Sequence, residues 1–193
     1  MTKKTVSDEE LLTGYINGEE NCLRTLIHRH QRRVFTSIYV LVKDRALAED
    51  LFQETFIKVI NSLRSGRYEE KGKFAAWVVQ IGTNLVRDYF RKMERLPRVV
   101  GSDGDETFLK YIPLGDENAE RRLINDERDE MVKNLIQKLP PEQREVLVLR
   151  NYANLSFKEI AELTNVSTNT ALARMRYALS NMRKLIEKHN IIL

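Results

Sequence analysis

Asp50-Leu51-Phe52-Gln53-Glu54-Thr55-Phe56 is the stretch on which the reading of this chain turns. Around it Leu47, Leu51, Thr55 and Val59, with Phe52, Phe56, Ile60 and Leu63 close behind, recur every three to four residues. That period predicts an amphipathic helix beginning near Asp44 or Arg45 and ending near Arg64. Asp50, Gln53 and Glu54 stand at i, i+3 and i+4, so the three polar groups share one side of it. On an isolated helix such a strip would be a solvated face. Its neighbours give it another weight.

Towards the N-terminus, Ser7-Asp8-Glu9-Glu10 is an S-x-x-E capping box that predicts a short helix through Leu11, Leu12, Tyr15 and Ile16, ended by Gly18. A second helix is expected from Glu20 to Val42, its apolar side marked by Leu23, Leu26, Ile27, Val34, Ile38 and Leu41. His28 and His30 lie two residues apart, do not share a helix face, and read as surface or packing residues rather than metal ligands. Towards the C-terminus, a loop bounded by Gly66 and Gly72 leads into a helix striped by Phe74, Trp77, Val78, Ile81, Leu85 and Tyr89. The pattern then breaks at Arg95-Leu96-Pro97. Up to roughly Asn118 the chain carries Gly101, Gly104, Pro113, Gly115 and the acids Asp103, Asp105 and Glu106, as an acidic, flexible linker does. Some twenty residues of extended chain reach roughly 65–70 Å.

The last third reads as helices again. Leu123, Ile124, Met131, Leu135, Ile136 and Leu139 mark the first, and Pro141 opens another with Val146, Leu147 and Leu149 as its core. Ser156-Phe157-Lys158-Glu159 is a second capping box, starting barely two turns through Ile160, Ala161 and Leu163. A turn at Thr164-Asn165-Val166 follows, and Ser167 caps a long helix through Met175, Leu179, Met182 and Ile186. Short helix, tight turn and long helix, with small Ala161 where the two must approach, predict a helix-turn-helix.

With 193 residues, 42% of them hydrophobic and 31% charged, and with eight Gly and four Pro, the composition suits a helix-rich chain. No apolar run nears the roughly 18 residues that span a bilayer, and Met1-Thr2-Lys3-Lys4-Thr5 leads into no apolar segment, so neither a secretory signal nor membrane association is expected. Cys22, the single cysteine, forms no internal disulfide, which makes the cytoplasm the expected address. The net charge of +4 is mild, but acids crowd Asp103 to Glu130 while Lys and Arg dominate on either side. Two basic blocks around an acidic one suggest two surfaces for an anionic partner. No nucleophile–base pair, metal-ligand spacing or phosphate-cradling loop is apparent, so neither an enzyme nor a cofactor is expected.

D-x-x-Q-E-x-F on a buried helix resembles the core-polymerase-binding segment, region 2.2, of bacterial RNA polymerase sigma factors. The short chain and the segments after it are similar to the extracytoplasmic-function (ECF) group of the sigma-70 family. The resemblance implies that Asp50, Gln53 and Glu54 contact core RNA polymerase while Phe56 supports their helix. F-x-x-W-x-x-x-I-x-x-N-x-x-x-D-x-x-R from Phe74 resembles regions 2.3–2.4, implying that Arg67, Tyr68, Asn84, Arg87, Arg91 and Lys92 open and hold the −10 promoter element. Those residue types suit strand opening, with cations for the backbone, an aromatic for an unstacked base and an amide for its edge. Leu139-Pro140-Pro141-Glu142-Gln143-Arg144-Glu145-Val146 is close to region 4.1. The second helix of the helix-turn-helix, after Ser167, is then expected to make −35 contacts through Ser167, Thr168, Asn169, Thr170, Ala173, Arg174, Arg176 and Tyr177. The chain departs from the family where many members read G-T-V-K-S-R: it has Asn169-Thr170-Ala171-Leu172-Ala173-Arg174, with fewer polar groups for base edges.

The expectation is therefore an all-α protein of two small helical domains. Residues 1–95 form a region 2-like domain, 96–118 the linker, and 119–193 a region 4-like helix-turn-helix domain. It would act as a sigma factor on promoter DNA, held in check by an anti-sigma factor. A freestanding helix-turn-helix regulator that never touches polymerase is the alternative.

Overall fold

The structure, a computed structural model, describes residues 6–69, 72–95 and 130–188. Among them all regular structure is helical. The expected linker and the apolar marks at Leu123 and Ile124 lie outside the described residues.

The first bundle contains α1 (Asp8–Ile16), α2 (Glu20–Val42), α3 (Arg45–Arg64) and α4 (Phe74–Arg95). α1 starts where the capping box predicts: Ser7 Oγ accepts from Glu10 N, and Glu10 returns the bond to Ser7 N. Asp8, in its first turn, takes hydrogen bonds from Arg29 and His30 of α2, the latter at 2.7 Å. His30 is thus a buried packing residue that anchors one helix to the next. Asp44 caps α3 by accepting from Leu47 N at 2.9 Å, after Lys43 turns the chain in the left-handed region at φ 57°. Leu26, Val34 and Ile38 of α2, Leu51, Val59 and Leu63 of α3, and Val78 and Val79 of α4 fill the core.

Two expected apolar stripes are rotated from their predicted phase. In α4 the buried positions are Phe74, Val78, Val79, Thr83, Leu85 and Val86, and Trp77 and Ile81 are only partly buried. Val79 and Val86 offered as good an inward face as Trp77, and Gly82 decides between them. A Cβ there would stand 3.1 Å from Ile38 Cδ1 and 3.2 Å from Thr55 Oγ1, so the bare α-carbon lets α4 lie close on α2 and α3. In the last helix Leu179 is exposed, and small Ala171 and Ala178 with Met182 face inward.

The second bundle contains α5 (residues 130–137), α6 (Pro141–Asn151), α7 (Phe157–Thr164) and α8 (Thr168–Lys188). Met131, expected as an apolar mark, is exposed, while Leu135, Ile136 and Leu139 are buried. Val146 to Leu149 of α6 pack with Ile160 of α7 and Ala171 and Ala178 of α8. The α7–α8 turn passes through Asn165 at φ 54°, a left-handed position that asparagine tolerates better than most residues.

α7 depends on its capping box. Glu159 accepts from Ser156 N at 2.8 Å and Ser156 Oγ at 2.7 Å, and Glu159 N donates back at 3.3 Å. Burial alone would raise the Glu159 carboxyl, but the Ser156 hydrogen bonds and the charge of Lys73 outweigh it and hold the group below its ordinary 4.5. A lowered native pKa stabilises the fold above the unfolded value, and this contribution is lost as pH falls through the native one. Glu159→Gln keeps hydrogen-bonding capacity but not the titration. It is expected to make stability fall less steeply as pH drops than in the wild type, read from urea unfolding at neutral and acidic pH.

Candidate functional site

α3 presents its polar strip outward. Asp50, Gln53 and Glu54 are exposed, while Phe56 is buried on the opposite side against Phe52, ring centroids 4.9 Å apart. Phe52 in turn meets Phe35 of α2 edge-on at 5.8 Å, so the strip rests on a fixed aromatic platform. Lys58 lies 3.4 Å from Glu54, a pair half-exposed on both sides and therefore weak. Ile57 joins the strip, 57% exposed, one turn on from Gln53 and Glu54. Sequence reasoning missed it because an apolar residue in this run reads as core. Its signal was its phase, which falls among Asp50, Gln53 and Glu54 and away from the buried Phe56 and Val59.

The second group lies on the loop before α4 and along α4. Arg67 is exposed, with Nε donating to Ser65 Oγ at 2.9 Å. Tyr68 packs over Trp77 at 4.2 Å between ring centroids and meets Phe74 edge-on at 5.9 Å. The two rings wall a cleft of about 380 Å³ whose far side is Leu155, Glu159, Glu162 and Leu163 of the second bundle. About 15 Å further along the helix by its rise, Arg87 Nη1 donates to Asn84 Oδ1 at 2.9 Å. Arg91 pairs with Asp88 at 2.6 Å, and Lys92 is exposed. All six residues are exposed or partly exposed, and Arg87 is also engaged across the bundles. Its Nε donates to Glu145 Oε1 of α6 at 2.7 Å and its Nη1 to the Leu163 carbonyl of α7 at 3.3 Å.

Further contacts join the bundles. Lys73 lies 3.8 Å from Glu162, Lys43 pairs with Glu130, and Gln137 donates to the Val40 carbonyl. Lys133 sits 5.8 Å from the Tyr39 ring centroid, and burial followed by the Glu130 charge raises the Tyr39 hydroxyl above its usual range. The two DNA-facing groups expected from the sequence therefore belong to bundles in contact, not merely tethered. None of these pairings could be read from local spacing.

The third group opens α8. Ser167 Oγ accepts from Thr170 N at 3.0 Å and shares a hydrogen bond with Thr170 Oγ1 at 2.9 Å, so both hydroxyls are occupied in starting the helix. Thr168, Asn169, Arg176 and Tyr177 are exposed, Ala173 and Arg174 half-buried. Leu172 is 38% exposed, one residue from the fully buried Ala171. Among the described residues no group of three or more His, Cys, Asp and Glu is placed to hold a metal, and no helix is long and apolar enough to cross a membrane.

A polar strip on a core-locked helix, a cationic and aromatic face on the next, and a separate helix-turn-helix define a transcription-initiation type of architecture. Comparison with known proteins makes this specific. Residues 26–96 match the sigma-70 region 2 family and residues 129–182 the sigma-70 region 4 family. The chain is 31% identical over 170 residues to the RNA polymerase sigma factor CarQ of Myxococcus xanthus, covering 88% of this chain and 92% of that one. It is 26% identical over 171 residues to the ECF sigma factor SigW of Bacillus subtilis, covering 86% and 90%. Its fold is shared by CnrH, solved in complex with the cytosolic domain of CnrY, with a TM-score of 0.67 at 20% identity over 95% of this chain and 99% of that one. The chain belongs to the ECF group of the sigma-70 family of RNA polymerase sigma factors.

Proposed function

We propose that the chain is an alternative sigma factor that binds core RNA polymerase through α3 and brings it to a restricted set of promoters. Asp50, Gln53 and Glu54, joined by Ile57, make the polymerase contact, and Phe56 holds their helix in place. Arg67, Tyr68, Asn84, Arg87, Arg91 and Lys92 open and retain the −10 element. The start of α8, from Ser167 to Tyr177, docks on the −35 element. Residues 1–95 and 119–193 act as the two working domains and 96–118 as the linker. The protein works in the cytoplasm and is not itself an enzyme. An anti-sigma factor is its expected regulator, as the sigma factor RpoE of Bartonella quintana was solved with the anti-sigma factor NepR.

The observation that carries this proposal is the exposed α3 strip, whose opposite face is locked by Phe52 and Phe56. Adding the purified chain to core enzyme on a genomic DNA library should give initiation from a discrete promoter set. A folded chain that neither binds core enzyme nor redirects it would refute the proposal and favour the freestanding regulator.

Leu172 and Ala173 shape the −35 preference. In the major groove the one apolar group on a base edge is the thymine methyl. An exposed leucine on the reading face gains by covering it and loses by desolvating polar edges. Replacing thymine by deoxyuridine across the −35 half of a bound promoter should weaken wild-type binding about fourfold per contacted methyl, taking ~0.8 kcal/mol for each. Leu172→Ala should lose most of that sensitivity, as read by fluorescence anisotropy of the polymerase-bound chain.

A further inference from the structure

We infer that His30, held by Asp8, is a positioning residue for promoter opening: it fixes Phe74, the buried ring on which Tyr68 and Trp77 are mounted. This rests on the proposed role of Tyr68 at the −10 element, which needs a ring held ready for an unstacked base. Phe74 heads α4 and is 1% exposed. Three ring side chains meet it. Tyr68 stands edge-on with centroids 5.9 Å apart, Trp77 lies tilted at 5.9 Å, and His30 of α2 lies tilted at 5.7 Å. Tyr68 and Trp77 are the pair that walls the cleft, and they meet each other at 4.2 Å. His30 reaches the same ring from inside the bundle.

His30 is 8% exposed, and a buried imidazole costs free energy unless it is hydrogen-bonded. Its Nε2 donates to Asp8 Oδ2 at 2.7 Å, and the other oxygen of Asp8 accepts from Arg29 Nη1. Arg29 Nη2 in turn donates to the Val6 carbonyl at 2.8 Å, so the carboxylate is itself oriented. The bond to Asp8 sets the rotation of the imidazole, and with it the surface that Phe74 meets. A leucine would fill the space without fixing it. A line of contacts thus runs from the first turn of α1 through His30 and Phe74 to Tyr68 and Trp77. Its consequence is preorganisation. A ring that must be ordered as the base arrives forfeits part of the stacking free energy, and a ring already held does not.

Trp77 is the chain's single tryptophan, so its emission reports on this group of rings directly. His30→Leu should shift that emission in the free chain. With core enzyme it should slow opening of the −10 element about tenfold, within what the stacking of one base is worth. The affinity of core enzyme for the chain, and of the assembled enzyme for closed duplex, should stay at wild-type values. Opening is read from permanganate reactivity of −10 thymines on a promoter drawn from the genomic library. Asp8→Ala should act in the same direction. Asp8→Asn keeps an acceptor for Nε2 and should restore wild-type opening. Asp8 is partly exposed, so this second pair of variants carries the test if the buried substitution does not fold. Unchanged opening in folded His30→Leu and Asp8→Ala, while Tyr68→Ala slows it, overturns the inference. So does a parallel loss of core binding and opening, the mark of a role in folding alone, and so does failure of Asp8→Asn to restore opening. If Tyr68→Ala opens as fast as wild type, the −10 role of Tyr68 has failed and the inference falls with it.

Discussion

Changing Gln53 to alanine together with Glu54 to lysine is expected to weaken binding to core RNA polymerase about a hundredfold while leaving the fold intact. Both side chains are exposed, and Glu54 pairs with Lys58 where both are half-exposed, so the unbound chain loses little. Surface changes of this kind stay within roughly ±0.5 kcal/mol of stability. In a complex the strip would be desolvated beside Ile57. Removing a central polar interaction there, and putting a cation in its place, costs about 2–4 kcal/mol, and each 1.4 kcal/mol is about tenfold. Ile57→Ala should reproduce part of the loss through contact area alone. Equilibrium binding to purified core enzyme, alongside thermal unfolding of the free variant, checks both halves. Undiminished affinity would mean that polymerase is held elsewhere.

Ala171→Glu should have the opposite profile, unfolding the helix-turn-helix bundle while α1–α4 and polymerase binding survive. Ala171 is fully buried where α8 crosses α6 and α7, and among the described residues no buried cation lies in that bundle. A carboxylate there is both oversized and unpaired, which costs about 3–5 kcal/mol. A bundle of some sixty residues has few kilocalories to spare. Loss of −35 binding with retained core binding is the expected outcome, and the calorimetric trace should keep one transition and lose another. A variant that still binds −35 DNA would show that α8 does not need its close approach to α7.

Much of this was legible because local rules and tertiary packing agree. Both Ser-x-x-Glu boxes start helices, Asp44 caps α3, and the Asn165 turn separates α7 from α8 where the sequence places them. The rotation of α4 was not legible, since Trp77 and Val79 compete as inward residues and Gly82 settles the matter only through what lies opposite, Ile38 and Thr55. Exposed Ile57, Met131 and Leu179 were hidden for the same reason: hydrophobicity marks a candidate for burial, not the partner that accomplishes it. The candidate polymerase and DNA groups stood out by residue type and motif. The engagement of Arg87 did not, because Glu145 lies 58 positions away and no periodicity links two charges that far apart in the chain.

The contacts between the bundles have a thermodynamic signature. Arg87, Glu145, Lys73, Glu162, Lys43, Glu130 and Gln137 meet charges or carbonyls, while Tyr68 and Trp77 face Leu155 and Leu163 across the cleft and the buried apolar side chains of both bundles form one cluster. Exposing polar surface lowers heat capacity, whereas exposing apolar surface raises it. Parting the bundles exposes both kinds of surface, so the two contributions oppose each other and the calorimetric step should be small. Each bundle's own melting would carry the steep positive step of an apolar core meeting water.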